Sequence, residues 1–376
     1  MWLTCSTVGR KFIMAASGAV LVLFVTFHCC MNSIAICWPA SYNSLCEFLG
    51  ANWYALVASV ALALFILLHI IYACVLTLQN RKARGPVGYA ISKKPKTVEW
   101  SSKNMLVLGI VILAFLVVHL IQFWAKMQLQ EIRGVHDVLP PAAGTLFLQE
   151  AFQTNWTWIV YIIGFIALWF HLNHGIWSMF QSVGWDNTAW IARFKKLAVC
   201  WSSIVCLLFV AQAIVFTAKA HEGYFKTNPV LREQYKEMII PMLEKDFGPD
   251  AAQLGALPYE EFSTNVDNFL AHLEQLPEDI NDPQLQSQLM MLPSENEKKM
   301  YLEQIQRLID GRKKMRNVKS LLDYLNGTET QQPDAIQQAE PVMSAPAQMY
   351  EEATIEEFAA PADIEDEALQ DTTNNK

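Results

Sequence analysis

Residues 105–127 read MLVLGIVILAFLVVHLIQFWAKM, and this stretch decides the class of the protein. It runs apolar to a single ionisable group, His119, and its one lysine, Lys126, comes at the far end. A helix needs about 20 mainly apolar residues to cross the hydrocarbon core of a bilayer, so this segment is long enough to span one. Four other stretches meet the same condition: 12–36, 53–78, 156–180 and 194–218. Trp38, Trp53, Trp124, Trp156, Trp158, Trp185, Trp190 and Trp201 lie along these segments, several of them where an interfacial aromatic belt is expected. The run after Arg10 and Lys11 is too long for a signal-peptide core and lacks a small-residue cleavage site, so it reads as a retained first span.

The composition of the 376-residue chain agrees: 53% hydrophobic against 17% charged argues for a bilayer as part of the solvent. Charge is divided unevenly. Residues 1–221 carry 15 Lys+Arg against 6 Asp+Glu, and the remainder carries 13 against 30. The eight cysteines form no CxxC pair and lie mostly in apolar runs, where cysteine behaves as a small hydrophobe. Only Cys37 and Cys46, in one expected outer loop, are placed to form a disulfide. Neither a Cys-based iron–sulfur or zinc pattern nor a CxxCH attachment motif is present, so any haem would be held by coordination alone.

Loop charge sets the direction of threading. The connection between the second and third spans holds Arg81, Lys82, Arg84, Lys93, Lys94, Lys96 and Lys103, and the fifth span begins with Arg193, Lys195 and Lys196. The other two connections are nearly neutral, so the N-terminus is expected in the cytoplasm, and an odd span count puts the C-terminal region on the other side.

Four spans each contain a histidine: His28, His69, His119 and His171. An ionisable group inside a membrane is expensive and marks a functional site by default. With a rise of about 1.5 Å per residue, His28 and His119 lie about 25 and 24 Å from the cytoplasmic end, in the outer half. The same measure places His69 about 18 Å and His171 about 15 Å from that end. An outer pair, His28 with His119, and an inner pair, His69 with His171, follow from spacing and charge. Neutral imidazole is the commonest haem ligand, and four ligands suit two six-coordinate haems. His174 shares a helix face with His171 and is the alternative inner ligand, or a partner for a haem propionate or a backbone carbonyl.

These residues resemble the cytochrome b membrane anchor of succinate dehydrogenase and fumarate reductase, in its five-helix, dihaem, single-polypeptide form. The matching stretches are Ser17-Gly18 ahead of His28, the run Leu67-Leu68-His69-Ile70-Ile71-Tyr72, Val118-His119, and Trp169-Phe170-His171-Leu172-Asn173-His174-Gly175-Ile176-Trp177-Ser178. The last is the most specific, being similar to a helix-four pattern of Phe-His followed by Gly-x-Trp-Ser. The resemblance covers roughly residues 1–220. It implies an all-α membrane protein whose five-helix bundle binds two b-type haems, with helices one and three holding the outer haem and helices two and four the inner. It implies His171 as the inner ligand. It also implies a flavoprotein and an iron–sulfur subunit docked on the cytoplasmic face, and a membrane quinone as the other redox partner, menaquinone being favoured. Nucleic acid is not an expected partner.

Glu47 is the single acid between the first two spans and lies at the expected outer level. Related anchors carry a protonatable residue there, so the resemblance implies a quinone-linked proton role for it; Asn32, Asn52 and Trp53 are nearby candidates for quinone contacts. The expected place is a bacterial cytoplasmic membrane.

Beyond His221 the chain departs from the family. Segments 230–245, 259–276 and 281–308 have helix-like apolar spacing, broken by Pro241, Pro258, Pro277 and Pro293, and 312–325 suits a short basic helix. Residues 222–326 are therefore expected as a small helical extension. After Gly327 the chain turns to Gln, Ala, Pro and acid, with too few apolar residues to offset ordering entropy, so 327–376 is expected to be an acidic disordered tail. Two rivals stand beside this reading: a haem b anchor of another quinone-linked dehydrogenase or hydrogenase, and a transporter whose histidines relay protons without haem.

Overall fold

In the computed structural model, residues 6–85, 100–133, 139–248 and 251–328 are described. Helix α1 (Thr7–Cys37) starts where the Ser6 side chain accepts the Gly9 N–H at 2.9 Å, satisfying one of the unpaired donors of the first turn. It stops at Trp38, whose successor Pro39 disfavours helical backbone before it. Pro39 then opens α2 (Pro39–Ala51) at the position where a missing N–H costs nothing. Helix α3 (Trp53–Arg84) follows, ending at Gly85 with φ +70.

Helix α4 (Trp100–His119) continues directly into a π-helical turn over Leu120–Trp124. Two short helices, α5 (Gln128–Arg133) and α6 (Gly144–Phe152), lead to α7 (Thr157–Ser182). Helix α8 (Thr188–His221) is capped by Asn187, whose side chain accepts the Trp190 N–H. The helices α1, α3, α4 with its π-turn, α7 and α8 are each long and apolar enough to cross a membrane, as expected.

The bundle is inside out relative to a soluble protein. Leu23, Leu64, Ile71, Ile110, Ile163, Ile204, Leu207 and Ile214 are exposed on its perimeter, and none of residues 53–83 of α3 is fully buried. Such a surface is stable only against lipid or another apolar solvent. Polar side chains instead stitch the interior. Gln212 of α8 donates to the Cys29 carbonyl and the Ser33 hydroxyl of α1, both at 2.9 Å. Trp169 of α7 donates to Ser203 of α8 at 2.9 Å. Lys219 donates to the Ile36 carbonyl at 2.8 Å, placing a cation on the C-terminal turn of α1, where the helix dipole favours it.

Residues 224–326 form α9 (Tyr224–Thr227), α10 (Pro229–Phe247), α11 (Ala252–Gly255), α12 (Tyr259–Glu274), α13 (Pro283–Met290) and α14 (Glu295–Asn326). The sequence boundaries need two corrections. Pro241 lies inside α10 without ending it, and the stretches expected to part between 308 and 312 are one helix, α14, while Pro293 splits off α13. The extension packs on the end of the bundle nearest His28 and His119, where α10 meets α2, and α9 meets α6 and α8. One apolar core runs from Cys29, Phe165 and Phe209 in the spans to Phe225, Tyr235, Leu273 and Leu322 in the extension. Helix α14 ends at Gly327, φ +71, a left-handed C-terminal cap. The acidic tail expected from 327 falls outside the described residues from 329 onward, as do Lys93, Lys94 and Lys96 of the basic loop.

Candidate haem-ligand pairs

The four histidines meet two by two, in the pairing that depth suggests. His28 of α1 faces His119 of α4 with ring centroids 5.8 Å apart, and His69 of α3 faces His171 of α7 at 6.2 Å. Two imidazoles binding one metal ion from opposite sides, each at the usual N–metal distance of about 2 Å, have ring centres about 6 Å apart. The helices that carry each pair are not packed neighbours: α1 packs on α3, α7 and α8, while α4 packs chiefly on α7. Each pair therefore looks across a slot between helices.

His174 turns elsewhere, with its ring edge-on to Trp177 at 4.9 Å. Helix α7 thus presents His171, and not His174, to His69. His171 Nδ1 is buried without a hydrogen-bond partner, an expensive state for a polar atom in a finished core.

Aromatic rings wall the His28–His119 pair. Phe24 stacks on His28 at 5.4 Å, and Phe115 and Phe123 flank His119 at 5.8 and 5.3 Å. Phe209 closes from α8 at 6.3 Å. Gly164 of α7 makes this wall possible, because a Cβ there would stand 2.6 Å from Phe115. Hydrogen bonds hold one ring nitrogen in each of two histidines: His119 Nδ1 lies 3.1 Å from the Tyr161 hydroxyl, and His69 Nδ1 lies 3.3 Å from the Ser17 hydroxyl. Sequence reasoning missed Ser17 and Tyr161 as partners of the histidines, and Gln122 as the partner of Tyr161; the only signal available was a polar side chain inside an apolar span.

Among the described residues no group of three or more His, Cys, Asp or Glu is arranged to hold a metal ion. Two imidazoles are too few for a bare ion, but they complete the coordination of an iron already held by four porphyrin nitrogens. The donor sets and the slots fit a porphyrin-bound iron better than a simple ion site.

The other candidates are placed differently. Glu47 is exposed on α2. Asn32 has both ends of its amide engaged, donating to the His28 carbonyl at 2.9 Å and accepting the Tyr42 hydroxyl at 3.2 Å. Asn52 caps back onto the Phe48 carbonyl, and Trp53 is exposed beside Tyr54. The acid buried at this end of the bundle is Glu150 of α6, paired with Lys126 just past the π-turn. Cys37 and Cys46 are both free thiols. Cys46 packs against Tyr42 and Gly144, and burial pushes its thiol up to about 12.

At the opposite end, Lys195 lies over the Trp177 ring at 4.2 Å and Arg193 over Trp190 at 4.9 Å. Phe180, Phe194 and Trp185 stack beside them. No protein-family model, curated protein or solved structure matches the chain.

Proposed function

We propose that this chain is the membrane anchor and electron-transfer subunit of a succinate:quinone oxidoreductase, holding two bis-histidine haem b groups. One observation carries the reading: two pairs of histidines, on four different apolar helices, face each other at nearly the same separation across two slots. A single pair is an ordinary interhelical contact. Two pairs with a separation that suits two imidazoles on one iron, one toward each end of the bundle, would provide a path across the membrane.

Haem b held at each pair would supply one-electron exchange, with its potential set by the histidine ligands, burial and nearby hydrogen bonds. The chain's own residues do the rest. His28 with His119, and His69 with His171, furnish the ligands. Phe24, Phe115, Phe123 and Phe209 exclude water around the first pair, which lowers the local dielectric. The end carrying Arg81, Lys82, Arg193, Lys195 and Lys196 has the charge expected of a cytoplasmic face and suits docked flavoprotein and iron–sulfur subunits. The His28–His119 end is then the outer one, where a quinone, menaquinone on the resemblance, would exchange electrons. Glu47, exposed there on α2, is the proposed proton-handling group.

The test is reduced-minus-oxidised spectroscopy of the purified full chain, with haem counted per polypeptide. Two haems b are expected. His119→Ala and His171→Ala should each remove one haem and leave the other, whereas His174→Ala should leave both. A chain that purifies intact without haem overturns the reading in favour of a proton-relaying transporter.

A further inference from the structure

A histidine binds iron through Nε2 only if the ring proton is on Nδ1, and the hydrogen bond made by Nδ1 decides which tautomer is present. The partner of His119 Nδ1 is a hydroxyl, Tyr161 at 3.1 Å, which can donate or accept. The direction is fixed further along the network. Thr154 donates its hydroxyl proton to the Ala151 carbonyl at 2.9 Å, and a carbonyl can only accept. The 2.6 Å bond between the Thr154 and Thr157 hydroxyls must then be donated by Thr157.

Thr157, with its proton spent, accepts from Gln122 Nε2 at 3.3 Å. That orients the Gln122 amide, whose Oε1 accepts the Tyr161 O–H at 3.0 Å. The Tyr161 oxygen is left to accept the Nδ1–H of His119, and Nε2 keeps its lone pair. Each step follows from the one before because every hydroxyl has one proton to give.

The geometry points to Tyr161 as a positioning residue for the outer site, holding His119 in its iron-binding tautomer through a relay of Gln122, Thr157 and Thr154 anchored on the Ala151 carbonyl. This inference rests on the haem reading above. Three further observations support it. Tyr161 is 5% exposed and clamped by Phe115, Phe152 and Phe165, with ring centroids 5.0, 5.1 and 5.9 Å away, so its hydroxyl has one place to be. Gln122 lies inside the π-turn that begins directly after His119, and such turns occur frequently at functional sites. The inner pair has a shorter version: Ser17 donates to the Met14 carbonyl at 3.1 Å, so its oxygen accepts the Nδ1–H of His69.

A hydrogen bond from Nδ1–H makes an imidazole a more basic ligand, which favours oxidised iron and lowers the midpoint potential. Tyr161→Phe keeps the ring and removes only the acceptor. Redox titration of the full chain in its membrane, with EPR of the oxidised haems, should show both haems retained. One midpoint should move up, with a changed EPR signal for the same haem, and the other should stay in place. Thr157→Val, whose hydroxyl bonds Gln122 and Thr154 and neither the histidine nor the tyrosine, should alter the same haem's signal by a smaller amount, and it serves as the test if Tyr161→Phe does not assemble. Unchanged midpoints and EPR signals with both haems bound, or a downward shift, overturn the role of Tyr161 while leaving the haem reading intact. Absence of haem from the wild-type chain overturns that reading itself.

Discussion

Gly164 shows how one hydrogen atom in place of a side chain sets a site. Phe115 of α4 leans into the space above it and stacks on His119, 5.8 Å away, and a Cβ at 164 would stand only 2.6 Å from the Phe115 ring. Gly164→Ala must therefore move either the phenyl ring or helix α7, at the ~1–3 kcal/mol typical of overpacking. Thermal unfolding in detergent should fall accordingly, and the spectral change should be confined to the haem at the His28–His119 pair. The cysteines give a second test at this scale. With Cys37 exposed and Cys46 turned into the contact between Tyr42 and Gly144, a maleimide should label Cys37 in the folded chain and reach Cys46 only after unfolding. Reduction should not change the mobility of the chain.

At the scale of elements, the spans were legible because apolar length is a property of composition: 105–127 has no alternative home. The meeting of the histidines two by two was legible because rise per residue converts position into depth. What escaped the sequence was whatever depends on one residue's three-dimensional neighbour. Gly311 lies within α14, where the absent Cβ lets Phe247 approach to 2.5 Å from that position. The π-turn after His119 has no composition signature at all, and without it the Gln122–Tyr161 contact could not be foreseen. The junction of α10 and α12 carries a prediction in pH. Glu233 holds Lys236 at 2.6 Å and accepts the Tyr259 N–H at 2.7 Å. The Lys236 hydrogen bond first, and the Tyr259 amide second, keep its carboxyl below the ordinary value of 4.5. A depressed carboxyl contributes stability above its unfolded pKa and loses it as pH falls through the folded one. Acid titration below about 4.5 should therefore loosen the extension. Glu233→Gln should flatten that part of the stability–pH curve, as followed by limited proteolysis across 248–258.

Over the described residues, the extension is continuous with the bundle of apolar helices through α6. All nine residues of that helix are buried, although it lies between two spans where an exposed loop would be ordinary. Its cover comes from three directions. Asn43 of α2 accepts from the Thr145 N–H and hydroxyl at 2.9 and 2.8 Å, Tyr235 of α10 meets the Thr145 hydroxyl at 2.7 Å, and Gln149 donates to the Ala220 carbonyl at 2.7 Å. From α6 the contact continues inward, since Phe152 packs on Tyr161 at 5.1 Å and on Phe216 at 5.8 Å. Tyr161 in turn holds His119. Mechanical support for the His28–His119 pair, the proposed outer haem site, thus begins in α10, outside the apolar spans. The pair His69–His171 lies toward the other end of α3 and α7 and shares none of these contacts. A chain ending before Pro229 should uncover Thr145 and the outward face of α6, removing the Tyr235 hydrogen bond and the apolar cover that α10 supplies. Heating such a truncated chain while recording haem spectra should release the His28–His119 haem at a lower temperature than the intact chain does, with the His69–His171 haem lost later. If both haems leave together at the wild-type temperature, the extension does not support the site in this way.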